Sequence, residues 1–264
     1  MISKGLMTTF NLNTIGLYTI VRREVTRFLR IWTQTLLPSM VNITLYFFIF
    51  GNLIGQRIGE MDGFRYIEYV VPGFIMMSII TNSYGNVVAS FFGSKFQRNI
   101  EEMLVSPLSP STILWGFILG GVVRGVVVGL LVTLVSIFFT QLHFEHFGLS
   151  LVVGILSALL FSLAGLINGI FSKKFDDISI IPTFVLTPLT YLGGVFYSIE
   201  LLPNFWKNIT YINPVFYMVN AFRFAMLGYS DVSIPIALGV IIGFVVVLYF
   251  TSLGLLKKGI GIRS

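Results

Sequence analysis

Hydrophobic positions along this chain fall into six long blocks, separated by short polar segments. Five windows, 31–56, 69–94, 147–172, 178–199 and 232–256, contain no Asp, Glu, Lys, Arg or His at all. A sixth, 112–139, is broken by the single charge of Arg124. A helix needs about 20 apolar residues to cross the hydrocarbon core of a bilayer, and every window meets that length. The pattern predicts an all-α integral membrane protein with six transmembrane helices, at 31–54, 69–92, 112–139, 148–171, 178–199 and 232–256. An even number of spans places both termini on the same side. The first apolar run begins only at Ile31 and has no small-residue cleavage site ahead of it, so it is expected to be a retained span and not a signal peptide.

Composition agrees with the pattern. Of the 264 residues, 55% are hydrophobic and 11% are charged, whereas a soluble domain carries about 25% charged residues. The net charge of +6 sits at the ends of the apolar runs, where orientation signals belong, and is not arranged as a nucleic-acid surface. Lys4, Arg22, Arg23, Arg27, Arg30, Lys95, Arg98, Lys173, Lys174, Lys257, Lys258 and Arg263 fall on one side of the expected topology. Only Arg57, Arg65, Lys207 and Arg223 fall on the other. The positive-inside rule makes the first group, and with it both termini, cytoplasmic.

The polar segments carry their own signals. Residues 1–30 form a tail and an amphipathic helix ahead of a membrane domain at 31–261. Tyr18, Val21, Val25, Phe28, Leu29 and Trp32 share one face of that helix, and Thr19, Arg22, Arg23, Thr26, Arg27 and Arg30 share another. Such a helix lies at a membrane surface, with its arginines toward anionic headgroups or a protein partner, or serves as a positive-inside anchor. Between the last two spans, Asn213-Pro214 reads as a helix start and Gly228 as a helix stop, predicting short helices that dip into the outer leaflet.

Candidate chemistry is thin. With no cysteine, thiolate nucleophiles and disulfides are excluded. There is no G-x-x-x-x-G-K-[ST] loop, so any ATP used is bound by another subunit, and no cofactor is expected in this chain. His143 and His146 flank Glu145 in a loop, where polar loop residues are expected far more often than metal ligands. Asp176-Asp177 reads as an ion-pair or helix-cap element. Arg124 is costly inside a membrane, roughly 2.5–3.5 kcal/mol on insertion scales, and must face protein or water. It marks either a translocation path or a structural pairing. Gly121, Gly125 and Gly129 recur at the small-xxx-small spacing that lets helices approach closely. Pro182, Pro188 and Gly193-Gly194 predict an irregular fifth span.

Four blocks carry a family likeness: FGNLIGQRIGEMDGF (50–64), ASFFGSKFQRNIEEMLVSP (89–107), FDDISIIPTFVLTPLTYLGGVFYS (175–198) and INPVFYM (212–218). In them the chain resembles the permease subunits of type-2 ABC exporters, over essentially its whole length. The resemblance implies a bacterial inner-membrane exporter subunit with no enzymatic activity of its own. It would assemble as two permease copies with two separate ATPase subunits. It makes 97–109 a coupling helix that docks on the ATPase, through Gln97, Arg98, Glu101, Glu102, Met103, Leu104, Ser106 and Pro107. The amphipathic lead, with Arg22, Arg23 and Arg27, becomes an interface helix bordering the ATPase. Tyr46, Phe47, Arg124, Tyr191 and Tyr197 are candidates to border the substrate path at the dimer seam. The rival reading, an autonomous secondary transporter or channel, would need intramembrane acidic or histidine relays, and the five charge-free windows contain none.

Overall fold

A computed structural model describes residues 2–261. Arg263 lies outside the described residues, as does the side chain of Lys4. The first helix, α1 (Ile2–Arg30), breaks at Ile31 into α2 (Trp32–Thr35) and α3 (Leu37–Tyr46). The chain continues as a π-helical stretch, Phe47–Ile54, and α4 (Gly55–Ile58). A small antiparallel hairpin follows, β1 (Glu60–Met61) with β2 (Phe64–Arg65). Its two-residue turn, Asp62-Gly63, has both φ angles positive (50° and 83°), which an Asp-Gly pair tolerates and the twist of a hairpin favours.

Next come α5 (Tyr66–Phe96), α6 (Asn99–Val105), α7 (Pro110–Ser136) and α8 (Phe147–Phe171). A broken helix runs through α9 (Asp177–Ile181), a π-helical segment Pro182–Leu186 and α10 (Thr187–Tyr191). The last elements are a 3-10 turn at Ile199–Leu201, α11 (Asn204–Ile212), α12 (Pro214–Leu227) and α13 (Ile234–Lys258). As the sequence predicts, Asn213 caps α12: its Oδ1 accepts the Val215 N–H at 2.9 Å, and Gly228 ends the helix in a left-handed conformation.

Four helices among the described residues are long and apolar enough to cross a membrane: Trp32–Ile58, α7, α8 and α13. The other two expected spans take different forms. The 31-residue helix α5 is long enough, but Ser78, Asn82, Ser83, Asn86, Ser90 and Ser94 dilute its apolar character. All six are buried, because α5 is the central helix, packed mainly against α8, α7 and α12. A helix screened from lipid by its neighbours can keep polar residues that a lipid-facing helix cannot. In the 178–199 window, helix persists only to Tyr191, in three five-residue segments. The chain then turns at Gly193-Gly194, where Gly194 has φ 72°, and folds back so that Val195 lies against Gly73 of α5.

Arg223 locks that returning segment in place. Assigned from the sequence to the outer side of the topology, it is fully buried. Its Nη2 donates to the Gly194 carbonyl at 2.6 Å, and its guanidinium lies 3.9 Å from the centre of the Tyr69 ring. Asp231 stands 3.9 Å away, and burial pushes its carboxyl above the ordinary value. At the opposite end of α5, a second apolar cluster (Phe91, Ile100, Ile113, Phe117, Leu166 and Ile170 among its members) forms the floor on which α6 sits.

Candidate functional site

The α5–α6 junction is a tight reversal. Phe96 ends α5, Gln97 N–H bonds back to the Gly93 carbonyl at 3.0 Å, and Arg98 takes a left-handed conformation with φ 63°. Only glycine adopts that region freely, so the strained Arg98 marks a reversal imposed by the packing on either side. The short helix α6 is rooted by Ile100, which is wholly buried in the second cluster. Gln97, Arg98, Glu101, Glu102 and Pro107 are exposed, and none of these charged residues forms an ion pair among the described residues.

Met103 and Leu104 are half-buried and lean on the second cluster instead of projecting outward. The exposed apolar residue is Val105, 87% accessible, which the sequence reading does not single out. Ser106 closes the helix, its N–H bonding the Glu102 carbonyl at 3.1 Å and its Oγ the Met103 carbonyl at 2.6 Å. Ser109 then caps α7 through Thr112 N–H, with Pro110 in the first turn.

Alongside α6 runs α1. A groove of about 430 Å³ between them is lined by Ile20, Arg23, Glu102, Met103 and Leu108. Asn13 Oδ1 accepts from Ser109 N–H at 2.9 Å and from Thr112 Oγ1 at 3.0 Å, fixing α1 to the start of α7. The structure therefore brings the two predicted elements together. Of the predicted apolar face of α1, Phe28 is buried and Val21 and Val25 are half-buried. Tyr18, Leu29 and Trp32 point outward, and the buried stripe is Ile20, Glu24 and Phe28. These residues meet α7 where it is thinnest: a Cβ at Gly120 would lie 2.5 Å from Glu24 Cβ.

Glu24 is only 1% exposed and uses both oxygens, accepting from Arg23 Nη2 at 3.1 Å and Arg27 Nη2 at 2.9 Å. Arg27 Nη2 also donates to Asn86 Oδ1 at 2.9 Å and the Asn86 carbonyl at 3.3 Å. The sequence holds a faint signal for this: one carboxylate set among four arginines. Removing one partner of a buried pair costs about 3–5 kcal/mol. Here both arginines are more than a third exposed, and screening lowers that to about 1–2 kcal/mol. Glu24→Ala is expected to lower the thermal midpoint of the solubilised chain accordingly, with Glu24→Gln falling between, as read by a melting curve in detergent.

One turn of α5 away from Asn86, Asn82 meets Arg124. Arg124 Nη2 donates to Asn82 Oδ1 at 3.1 Å and to the Thr35 carbonyl at 3.2 Å, and Asn82 Nδ2 donates to Ser39 Oγ at 3.0 Å. No carboxylate pairs with Arg124 among the described residues. The other path candidates gather elsewhere. Tyr46 and Tyr191 both pack on Phe196, with ring centres 6.4 and 5.4 Å apart. Phe47 is fully buried between Phe74 and Phe139, and the buried Tyr197 hydroxyl has no hydrogen-bond partner among the described residues.

The remaining polar candidates take structural positions. Asp177 Oδ2 accepts from Lys173 and Lys174 N–H at 2.8 and 2.9 Å, and these backbone bonds hold its carboxyl below the ordinary value. His146 stacks on Phe224, and no group of three metal-ligating residues assembles among the described residues.

The chain belongs to the ABC-2 type transporter family, which it matches over residues 16–227, and with four helices long and apolar enough to cross a membrane among the described residues it is a membrane transport subunit. That range takes in α6, Arg124 and the second half of α1. The chain is similar to the inner membrane transport permease YadH of Escherichia coli (strain K12), at 53% identity over 250 residues, covering 95% of this chain and 98% of that protein. It is similar at greater distance to Nodulation protein J of Rhizobium leguminosarum bv. viciae, 24% identical over 225 residues (85% of this chain, 87% of that protein). The corresponding Nodulation protein J of Rhizobium meliloti (strain 1021) is 23% identical over 238 residues, or 90% and 91% of the two chains.

Proposed function

We propose that this chain is the permease subunit of an ATP-driven exporter of the bacterial inner membrane, and that α6 is the helix through which a separate ATPase drives it. The observation that carries this reading is α6 itself. It is rooted at Ile100 yet presents Arg98, Glu101, Glu102 and Val105 to the outside, with no ion pair for those charges among the described residues. A mixed-charge helix with an apolar tip suits a protein groove better than a lipid surface.

On this reading six spans cross the membrane: the four long apolar helices, the central α5 and the broken helix of α9 and α10. Residues 1–30 are the cytoplasmic tail and interface helix, and 31–261 the membrane domain. Both termini are cytoplasmic. Two permease copies flank the substrate path, and each takes one ATPase. ATP binding closes the ATPases, α6 carries the motion into the bundle, and access switches from one side to the other. No covalent step occurs in this chain.

The test is purification of the tagged chain from its native membrane in mild detergent, with mass spectrometry of what accompanies it. The expected result is a stoichiometric partner carrying a G-x-x-x-x-G-K-[ST] loop. A chain that is repeatedly recovered intact and alone overturns the reading in favour of an autonomous transporter.

A further inference from the structure

A larger groove, about 660 Å³, lies between α1 and the last turns of α5 and reaches the α5–α6 junction at Gln97 and Asn99. Its α1 wall carries Arg22, Arg23, Arg27 and Arg30, and its α5 wall is built of small residues, Ser90, Gly93 and Ser94. Among the described residues of the lining, Glu24 is the only carboxylate. Both its oxygens are already taken, one by Arg23 and one by Arg27. Arg22 and Arg30 are exposed and form no ion pair among the described residues. Four guanidiniums against one carboxylate leave three positive charges in excess on a concave wall. A concave surface with low-dielectric sides concentrates the field of such charges.

The position of the groove narrows the ligand further. It reaches Ile31, the residue at which the first apolar helical run begins. On the proposed topology that is the level at which a bilayer's headgroups meet its hydrocarbon. Guanidinium groups with hydroxyl neighbours match phosphate oxygens in charge and in donor geometry.

We propose that the groove between α1 and α5 binds the phosphate headgroup of an anionic amphiphile. The same chemistry is offered by an anionic phospholipid of the surrounding bilayer and by a phosphorylated amphiphilic cargo. The groove shares Thr19, Arg23 and Asn99 with the one beside α6, whereas Arg22, Arg30, Ser90 and Ser94 belong to it and not to that one.

The experiment takes the purified full chain in detergent without any partner. It is titrated separately with dioleoyl phosphatidylglycerol and dioleoyl phosphatidylcholine, and bound lipid is counted by native mass spectrometry. The wild-type chain is expected to retain phosphatidylglycerol in preference, with Arg22→Gln plus Arg30→Gln lowering that retention about tenfold or more. Gly93→Leu is the second variant. A Cβ at Gly93 meets no atom within 4 Å, so the side chain enters open space and occludes the groove without touching a charge. It is expected to give a similar loss, with both variants melting like the wild type. Glycerol 3-phosphate then separates the sources. Displacement of the lipid by it supports recognition of the phosphate alone, as a phosphorylated cargo would present it. A phosphatidylglycerol preference that survives it supports a bilayer lipid. Equal retention of the two lipids by the wild type overturns the proposal, as does unchanged retention in both variants.

Discussion

Glu101→Lys combined with Glu102→Lys is expected to cut recovery of the ATPase with the tagged permease by tenfold to a hundredfold, while the permease itself folds and inserts as before. The two parts of this expectation rest on different observations. Neither glutamate side chain is buried, and neither forms an ion pair among the described residues. Both lie in the first turn of α6, where a carboxylate gains about 0.3–1 kcal/mol from the helix dipole and a lysine loses it. That is small against the burial of Ile100 and the packing of the floor beneath it. An interface is far more sensitive. Truncating one partner of a buried, hydrogen-bonded charge pair across an interface costs about 2–5 kcal/mol, and reversal adds repulsion. The upper part of the expected range corresponds to the lower end of that cost, which allows for pairs at a wet rim. The measurement is the ratio of ATPase to permease after affinity purification, together with a melting curve. Unchanged recovery and unchanged ATPase stimulation in the folded double variant would remove α6 from the interface. Val105→Asp makes a useful companion, because it tests the exposed apolar tip without altering either glutamate.

Much of this architecture is legible in the sequence, and the failures share one cause. The apolar windows, the arginine-rich lead, the junction at 97–109 and the Asn213-Pro214 cap are local signals, and each appears in the structure as a helix, a break or a cap. What cannot be read locally is which face of a helix meets protein. The arginines and aromatics of α1 suggest a two-faced surface helix. Which residues of it meet protein, Ile20, Glu24 and Phe28, is decided by glycines on a helix nearly a hundred residues away that leave room for them. The same holds for α5, whose serines and asparagines look like a weak span until the neighbouring helices account for them. The resemblance assigns Met103 and Leu104 to docking; in the fold both are half-buried against the floor under α6, and Val105 is the apolar residue that faces outward. The sequence counts Arg223 only as a charge on the outer side; its burial is not legible there, since only the folded chain brings Tyr69, Gly194 and Asp231 around it.

Arg124→Leu is expected to leave the complex assembled and nearly as stable as the wild type, yet to lower the ATPase turnover that it supports by about tenfold. The stability part follows from two opposing terms. Losing the bonds to Asn82 Oδ1 and the Thr35 carbonyl, and leaving those acceptors short of a donor, costs about 2–3 kcal/mol. Removing a charge from the interior of an apolar helix returns roughly 2.5–3.5 kcal/mol. The terms nearly cancel, so the melting temperature is expected to move little. Coupling has no such compensation. Thr35 closes the kink between α1 and α3, its Oγ1 donating to the Phe28 and Ile31 carbonyls at 2.8 and 3.1 Å. Arg124 ties that kink to α5 through Asn82, and Arg27 ties α1 to α5 one turn away through Asn86. A push on α1 from the α6 side therefore reaches the central helix through two arginine–asparagine contacts, and the leucine removes one of them. Arg124→Lys keeps the charge but lacks the fork of donors and should recover only part of the turnover. A variant that melts early and turns over normally would make Arg124 a purely structural bond. Loss of the ATPase on purification would instead show that α6 itself had been displaced, the outcome reserved above for the two glutamates.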